Sequence, residues 1–300
     1  MSLSYMLHDW PWWLAGAWIG LWLVSLARII PRKVLQCVDA PLHAWLGPGG
    51  GLEQPIPLAR RIWVPVLNAS LWAYAADTAG HPAFWAALSG AGLASTLVLL
   101  ALIDWDTTLL PDWVVLPLWV AGLASSYAGF TPHNLLVSAA SAAVVLGLMG
   151  GLAWVFQRLK GESGVGSGDL KLLAALATWW GLVGVLYIVL WGSVLTVVWY
   201  LVWRRFKGFS PQAEWPFGPA LVVAALVWGL LAAYSPARLD ADASFDRRRP
   251  SMHGVLGQVS NGYLMEKNIT AVRRSSSNAV TLSSVRLRAG ASLATLPVYK

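Results

Sequence analysis

Residues 134–157 read Asn134-Leu-Leu-Val-Ser-Ala-Ala-Ser-Ala-Ala-Val-Val-Leu-Gly-Leu-Met-Gly-Gly-Leu-Ala-Trp-Val-Phe-Gln157, without one Asp, Glu, Lys or Arg. A run this apolar is long enough to cross a bilayer, which takes about 20 residues as a helix. Only a helix or a closed barrel satisfies its own backbone in lipid. Comparable runs lie at 12–30, 62–78, 83–103, 113–130, 184–203 and 217–234. A shorter one, 172–183, is either a short helix ending at Gly181 or half of a re-entrant pair, and counts here as a span. The pattern predicts an all-α polytopic membrane protein with about eight transmembrane helices.

Composition agrees. The chain has 300 residues, is 57% hydrophobic and 12% charged, and has a mean hydropathy of +0.58. Soluble domains carry about 25% charged residues. Twenty Trp suit a protein whose indoles collect at membrane interfaces. The net charge of +7 raises the question of nucleic acid, but its distribution excludes a basic binding face. Ten of the 21 Lys and Arg fall from Arg238 onward, and the others lie in or beside three short loops. Those loops are 31–61 (Arg32, Lys33, Arg60, Arg61), 158–171 (Arg158, Lys160, Lys171) and 204–211 (Arg204, Arg205, Lys207). The loops 79–82, 131–133 and 181–184 have no Lys or Arg. That alternation is the positive-inside signature, and it puts the basic loops and the 104–112 loop in the cytoplasm. Residues 1–9 hold no Lys or Arg and the first apolar run is long enough to span, so a cleavable signal peptide is not expected. Cys37 is the single cysteine, which excludes an intrachain disulfide.

Three regions follow: spans and a cytoplasmic loop in 1–78, a membrane domain in 79–236, and a tail in 237–300. The tail is rich in Ser, Arg, Ala and Asn, with the cluster Arg247-Arg-Arg249, and reads as disordered.

Two segments carry chemistry. One is Asp104-Trp-Asp106-Thr-Thr-Leu-Leu-Pro111-Asp112, which follows directly on an apolar run. The other is Gly164-Val-Gly166-Ser-Gly168-Asp169-Leu-Lys171, which precedes one. A carboxylate beside lipid costs several kcal/mol unless paired or hydrated, so acids at such places are functional candidates. Two brought together share one proton, and one then acts as general base on water while its neutral partner donates to a scissile carbonyl. The positive-inside alternation puts both segments in one compartment, as a dyad requires. Simpler readings stand beside this one. Asp169 suits the N-terminus of the helix that follows. Pro111 and Asp112 suit the first turn of another. The three alternate glycines leave a hydrated, irregular backbone that another chain can approach closely. A phosphate loop is disfavoured, because no Lys-Ser/Thr follows. With no His nearby, the acids of 104–112 are not a typical metal site.

The pairing of Asp-x-x-x-x-x-Leu-Pro-Asp (104–112) with Gly-x-Gly-x-Gly-Asp-x-Lys-Leu (164–172) resembles the type IV prepilin peptidases, aspartic proteases of the GxGD class. Trp215-Pro-Phe-Gly-Pro219 resembles a further segment of that family, and the resemblance covers residues 12–234. It implies an enzyme of the bacterial inner membrane that removes leader peptides from type IV prepilins or type II secretion pseudopilins at the cytoplasmic face. By position in the motifs, Asp104 and Asp169 match the catalytic pair, and Asp106 and Asp112 fall outside it. Gly164, Gly166, Gly168, Lys171, Pro111 and Asp112 are the implied supporting residues. Proteolysis of this kind uses no cofactor or metal. Many family members also methylate the new N-terminus with S-adenosylmethionine, and carry two Cys-x-x-Cys pairs that bind zinc. Here the 31–61 loop has only Cys37 and His43, and Asn68 of Pro65-Val-Leu-Asn68 stands where the family often has Glu. S-adenosylmethionine is therefore expected only if methyl transfer is retained. His8, His81 and His133 lie near the outer ends of spans and read as interfacial.

Two alternatives remain. A presenilin-like intramembrane protease shares Gly-x-Gly-Asp and a Pro-Ala-Leu like Pro219-Ala-Leu221, but not Leu-Pro-Asp after the first aspartate. A proton- or cation-coupled transporter would place its acids near mid-bilayer on broken helices in a repeated architecture.

Overall fold

The computed structural model describes residues 10–37, 39, 52, 54–79, 83–161, 166–207 and 216–233. Gly164, His8, His43, His81 and the 237–300 tail lie outside them. Every regular element among the described residues is a helix: α1 (Trp10–Cys37), α2 (Leu58–Ala79), α3 (Phe84–Thr107), α4 (Asp112–Tyr127), α5 (Leu135–Lys160), α6 (Ser167–Lys207) and α7 (Gly218–Ala233). Trp10–Cys37, Phe84–Thr107, Leu135–Lys160 and Ser167–Arg205 are each long and apolar enough to cross a membrane. Gly218–Ala232 is a shorter apolar helix.

The chain reverses inside α6. Gly181 has φ 68° and ψ −180°, a backbone state that side-chain-bearing residues rarely adopt. The part before Gly181 runs away from the 104–112 segment toward His133, whose Nε2 lies 3.3 Å from the Trp180 carbonyl oxygen. The part after it returns, with Tyr187 stacked on Trp228 and Trp199 stacked on Trp105. A single residue thus replaces the loop expected at 181–184. Among the described residues each of the eight apolar runs is helical, but four helices, not eight, are long and apolar enough to cross a membrane.

Two other boundaries differ from the sequence reading. Both ends of the expected 31–61 loop are helical, since α1 continues through Pro31 to Cys37 and α2 begins at Leu58. The expected 104–112 loop begins later, because α3 runs on to Thr107 and stops where Thr108 turns left-handed (φ 52°) and donates its N–H to the Asp104 carbonyl oxygen. Both Asp104 and Asp106 therefore sit in a helical turn. Their partners lie on neighbouring helices, so neither must leave the helix to reach water.

The first part of α6 is the centre of the bundle. Leu172, Leu176 and Ala177 are fully buried against Leu97 and Leu100 of α3, Val115 and Leu118 of α4, Val145 of α5 and Leu221 of α7. A second cluster joins α1, α2 and α3 through Leu23, Val24, Ala27, Val64, Val98 and Ile103. Helix α3 takes part in both, which ties the N-terminal pair to the rest. Large apolar side chains such as Leu21, Trp22, Val120, Leu148 and Leu190 are exposed on the outside.

Close packing and buried hydrogen bonds join the N-terminal helices. Gly16 and Gly20, four residues apart on α1, make room for α2: a methyl at Gly20 would lie 2.5 Å from the Pro65 Cα. Beside this contact Asn68 is fully buried. Its Nδ2 donates to the Gly16 carbonyl oxygen (2.8 Å), its Oδ1 accepts from Ser95 Oγ (2.9 Å), and Trp72 Nε1 donates to Ser95 Oγ (2.8 Å). Three helices are joined by one amide. Gly20→Leu should destabilise the protein by about 1–3 kcal/mol or more through overpacking, seen as a lower melting temperature in detergent. Gly92→Ala, where the added methyl meets no atom within 4 Å, should leave that temperature unchanged.

Candidate active site

The acids of the 104–112 segment are all placed differently. Asp104, in the last turn of α3, is 4% exposed. Its Oδ2 accepts a hydrogen bond from the Gly218 backbone N–H at 2.9 Å. Gly218 opens α7, and the start of a helix has N–H groups without intrahelical partners and a partial positive charge, both suited to a carboxylate. The approach leaves no space for a side chain, since a methyl at Gly218 would come 2.7 Å from Asp104 Oδ2.

Asp169 lies in the first turn of α6, where the helix dipole also favours a negative charge. It is half-buried, so one acid of the pair is enclosed while the other keeps access to the surface. Gly168 packs on Leu110 and Lys171 pairs with Asp112, so the start of α6, with Asp169, lies against the segment that follows Asp104. Residues widely separated in sequence, one ending a helix and one starting another, are thereby brought to the same end of the bundle.

The supporting residues hold these two ends together. Lys171 Nζ donates to both carboxylate oxygens of Asp112, at 2.8 and 2.7 Å, which joins the start of α6 to the start of α4. Gly168 seats α6 against the connecting segment: a methyl there would come 2.8 Å from the Leu110 Cβ. Gly166 lies beside Asp169, 3.2 Å from its Oδ2 to the position a methyl would take. Pro111 is buried and caps α4 in an extended conformation, its carbonyl oxygen accepting from Val114 and Val115 N–H. Asp112 then falls in the first turn, in keeping with the helix-start reading of that dipeptide.

Gly218 was not among the residues singled out for the site, although its segment was. The signal was the sequence Pro216-Phe-Gly-Pro219, a glycine between prolines directly before an apolar run. Such a glycine opens a helix with little room around it, and here the space is filled by Asp104. Asp106 has no direct part in this arrangement. It points to the other side of α3, into a buried cluster with Arg28 and Arg60.

The sequence profile of the type IV leader peptidase family matches residues 91–201, a span that contains both aspartate segments. The prepilin leader peptidase/N-methyltransferase of Xanthomonas campestris pv. campestris is 34% identical over 207 residues, covering 64% of this chain and 67% of that protein. The protein of the same name from Aeromonas hydrophila is 35% identical over 198 residues, covering 64% and 67%. Its counterpart from Neisseria gonorrhoeae is 36% identical over 146 residues, covering 46% and 47%. No solved structure matches the chain. The chain belongs to the type IV leader peptidase family, a family of peptidases.

Proposed function

We propose that this enzyme is a membrane-embedded aspartic endopeptidase that removes the leader peptide from type IV prepilins or the pseudopilins of type II secretion. In this reading about eight spans cross the bacterial inner membrane, and Asp104 and Asp169 form the catalytic pair at its cytoplasmic face. The observation that carries it is the packing of the start of α6, which holds Asp169, against the segment that follows Asp104, through Gly168 on Leu110 and Lys171 on Asp112. Family membership supplies the substrate class, since the relatives are named prepilin leader peptidases.

Peptide hydrolysis at such a pair follows from elementary acid–base chemistry. The ionised carboxylate takes a proton from water as the water oxygen adds to the scissile carbonyl. The protonated carboxyl donates to the carbonyl oxygen as negative charge develops there. Collapse of the tetrahedral intermediate breaks the C–N bond, and the leaving amine takes up a proton. Gly218 N–H fixes one oxygen of Asp104 throughout, which orients the other. Half-exposed Asp169 is the acid that water and an extended peptide reach first. Gly166 leaves the approach to it open.

The relatives are also named N-methyltransferases. At position 68, where the resemblance leads one to expect Glu, the chain has a neutral, fully buried amide that donates to the Gly16 carbonyl oxygen and accepts from Ser95 Oγ. No step of the proposed reaction passes through S-adenosylmethionine.

The acids give the first test. Asp104→Asn and Asp169→Asn should each lower prepilin cleavage in proteoliposomes by about a thousandfold or more, with membrane insertion unchanged, because one carboxyl group cannot be base and acid together. Gly218→Ala should lower kcat by about ten- to a hundredfold while both aspartates remain, as the added methyl must displace the Asp104 carboxylate. For topology, reporter fusions after Arg61, Asp112, Lys160 and Lys207 should report the cytoplasm, and a fusion after His133 the outside. Opposite sides for the fusions after Asp112 and Lys160 would rule out a shared site.

A further inference from the structure

Helix α3 ends with a second buried carboxylate that the proposed reaction does not use. Asp106 is fully buried, and its Oδ2 lies 2.7 Å from Arg60 Nη1 and 3.0 Å from Arg28 Nε. Both arginines are themselves buried, at 7% and 6% exposure. Arg60 also donates from Nη2 to the Leu102 carbonyl oxygen at 3.0 Å. One guanidinium thus holds the backbone at the start of the last helical turn and a side chain at its end, and Asp104 lies between these two points. From Arg28, Nη1 reaches the Gln54 carbonyl oxygen (2.9 Å), while Arg32 Nη2 reaches that of Leu52 (2.6 Å). The same arginine-rich patch therefore anchors the backbone that leads into α2.

We propose that Asp106, Arg60 and Arg28 are positioning residues for Asp104: they fix the rotation of the last turn of α3 and so aim the Asp104 carboxylate at Asp169. The reasoning rests on helix geometry and on the dyad proposed above. Residues two apart on a helix point about 200° apart, so Asp106 faces α1 and α2 while Asp104 faces α6 and α7. A rigid grip on one side sets the direction of the other. Helix ends fray, and a reacting group must be held to within a fraction of an ångström. Two cations at the C-terminal end of α3 also complement its dipole. Bulk stability alone is a poor reason for the cluster, because apolar residues of similar volume commonly do as well as a buried ion pair. The two-point contact of Arg60, with Asp106 Oδ2 and with the Leu102 carbonyl oxygen, does supply a fixed geometry.

The test uses the full chain in proteoliposomes, with prepilin cleavage rates expressed per folded molecule and melting temperatures measured in parallel. Asp106→Asn should lower kcat by about ten- to a hundredfold with KM changed less than about threefold. Asp106→Glu, which can still reach the guanidinium groups, should recover most of that loss. Where Asp106→Asn does not accumulate, Arg60→Lys serves instead: it keeps the charge but loses the fork, and should lower kcat by about fivefold or more. A normal kcat per folded molecule, with only the melting temperature reduced, would overturn the proposal and leave a purely structural cluster. Failure of the dyad itself would look different. Asp104→Asn would then cleave normally, whatever the Asp106 variants did.

Discussion

Every part of the site follows from the cost of placing carboxylates at the end of an apolar helix. An acid there must find a donor, a cation or water, or it will not be tolerated. The three acids of the 104–112 segment find three different answers. Asp104 takes a backbone N–H from the start of α7, Asp106 takes two buried guanidinium groups, and Asp112 takes the partly exposed ammonium of Lys171. Each answer recruits another helix. Together they gather α1, α2, α4, α6 and α7 around the end of α3. The arrangement that satisfies the acids is also the one that presents Asp104 to Asp169.

The centre of the bundle serves the same end. The part of α6 before Gly181 has about 14 residues, or roughly 21 Å of helix, too short to cross a bilayer easily without help. It is surrounded by α3, α4, α5 and α7 and packs through Ala174, Ala175 and Ala177, whose small side chains permit close approach. Asp169 at its start is therefore held by a rigid, enclosed element.

Much of this was legible in the sequence, and the rest has identifiable reasons for being hidden. Eight apolar runs foretold the helices, because hydropathy dominates structure in lipid. Asp104 and Asp169 stood out because charge is rare in such a chain. The Lys171–Asp112 pair was named in part, as two supporting residues with no link between them. Arg28 and Arg60 escaped notice as partners of Asp106 because their role depends on contacts between helices distant in sequence. Read from the sequence alone, Arg60 is one charge of the 31–61 loop, and Arg28 falls unremarked inside the 12–30 run. The run of α3 to Thr107 was missed for the same reason: acids look like loop residues until their partners are known. The reversal at Gly181 was half seen, as a short helix ending there, but a four-residue loop was expected where one left-handed glycine suffices. Asn68 was read only as a missing Glu, whereas its amide joins three helices.

The proposed dyad requires two segments about sixty residues apart to meet at one end of the bundle. Carbodiimide coupling, which joins a carboxylate and an amine only when they touch, tests it most directly, because Lys171 Nζ and Asp112 lie 2.7 Å apart and both are accessible to reagent. Treated membranes should yield, by mass spectrometry of the digested protein, a peptide pair linked through Asp112 and Lys171, absent from the Asp112→Asn variant. A protein in which Lys171 couples to other carboxylates but never to Asp112 would contradict the account, since the two aspartate segments would then not meet.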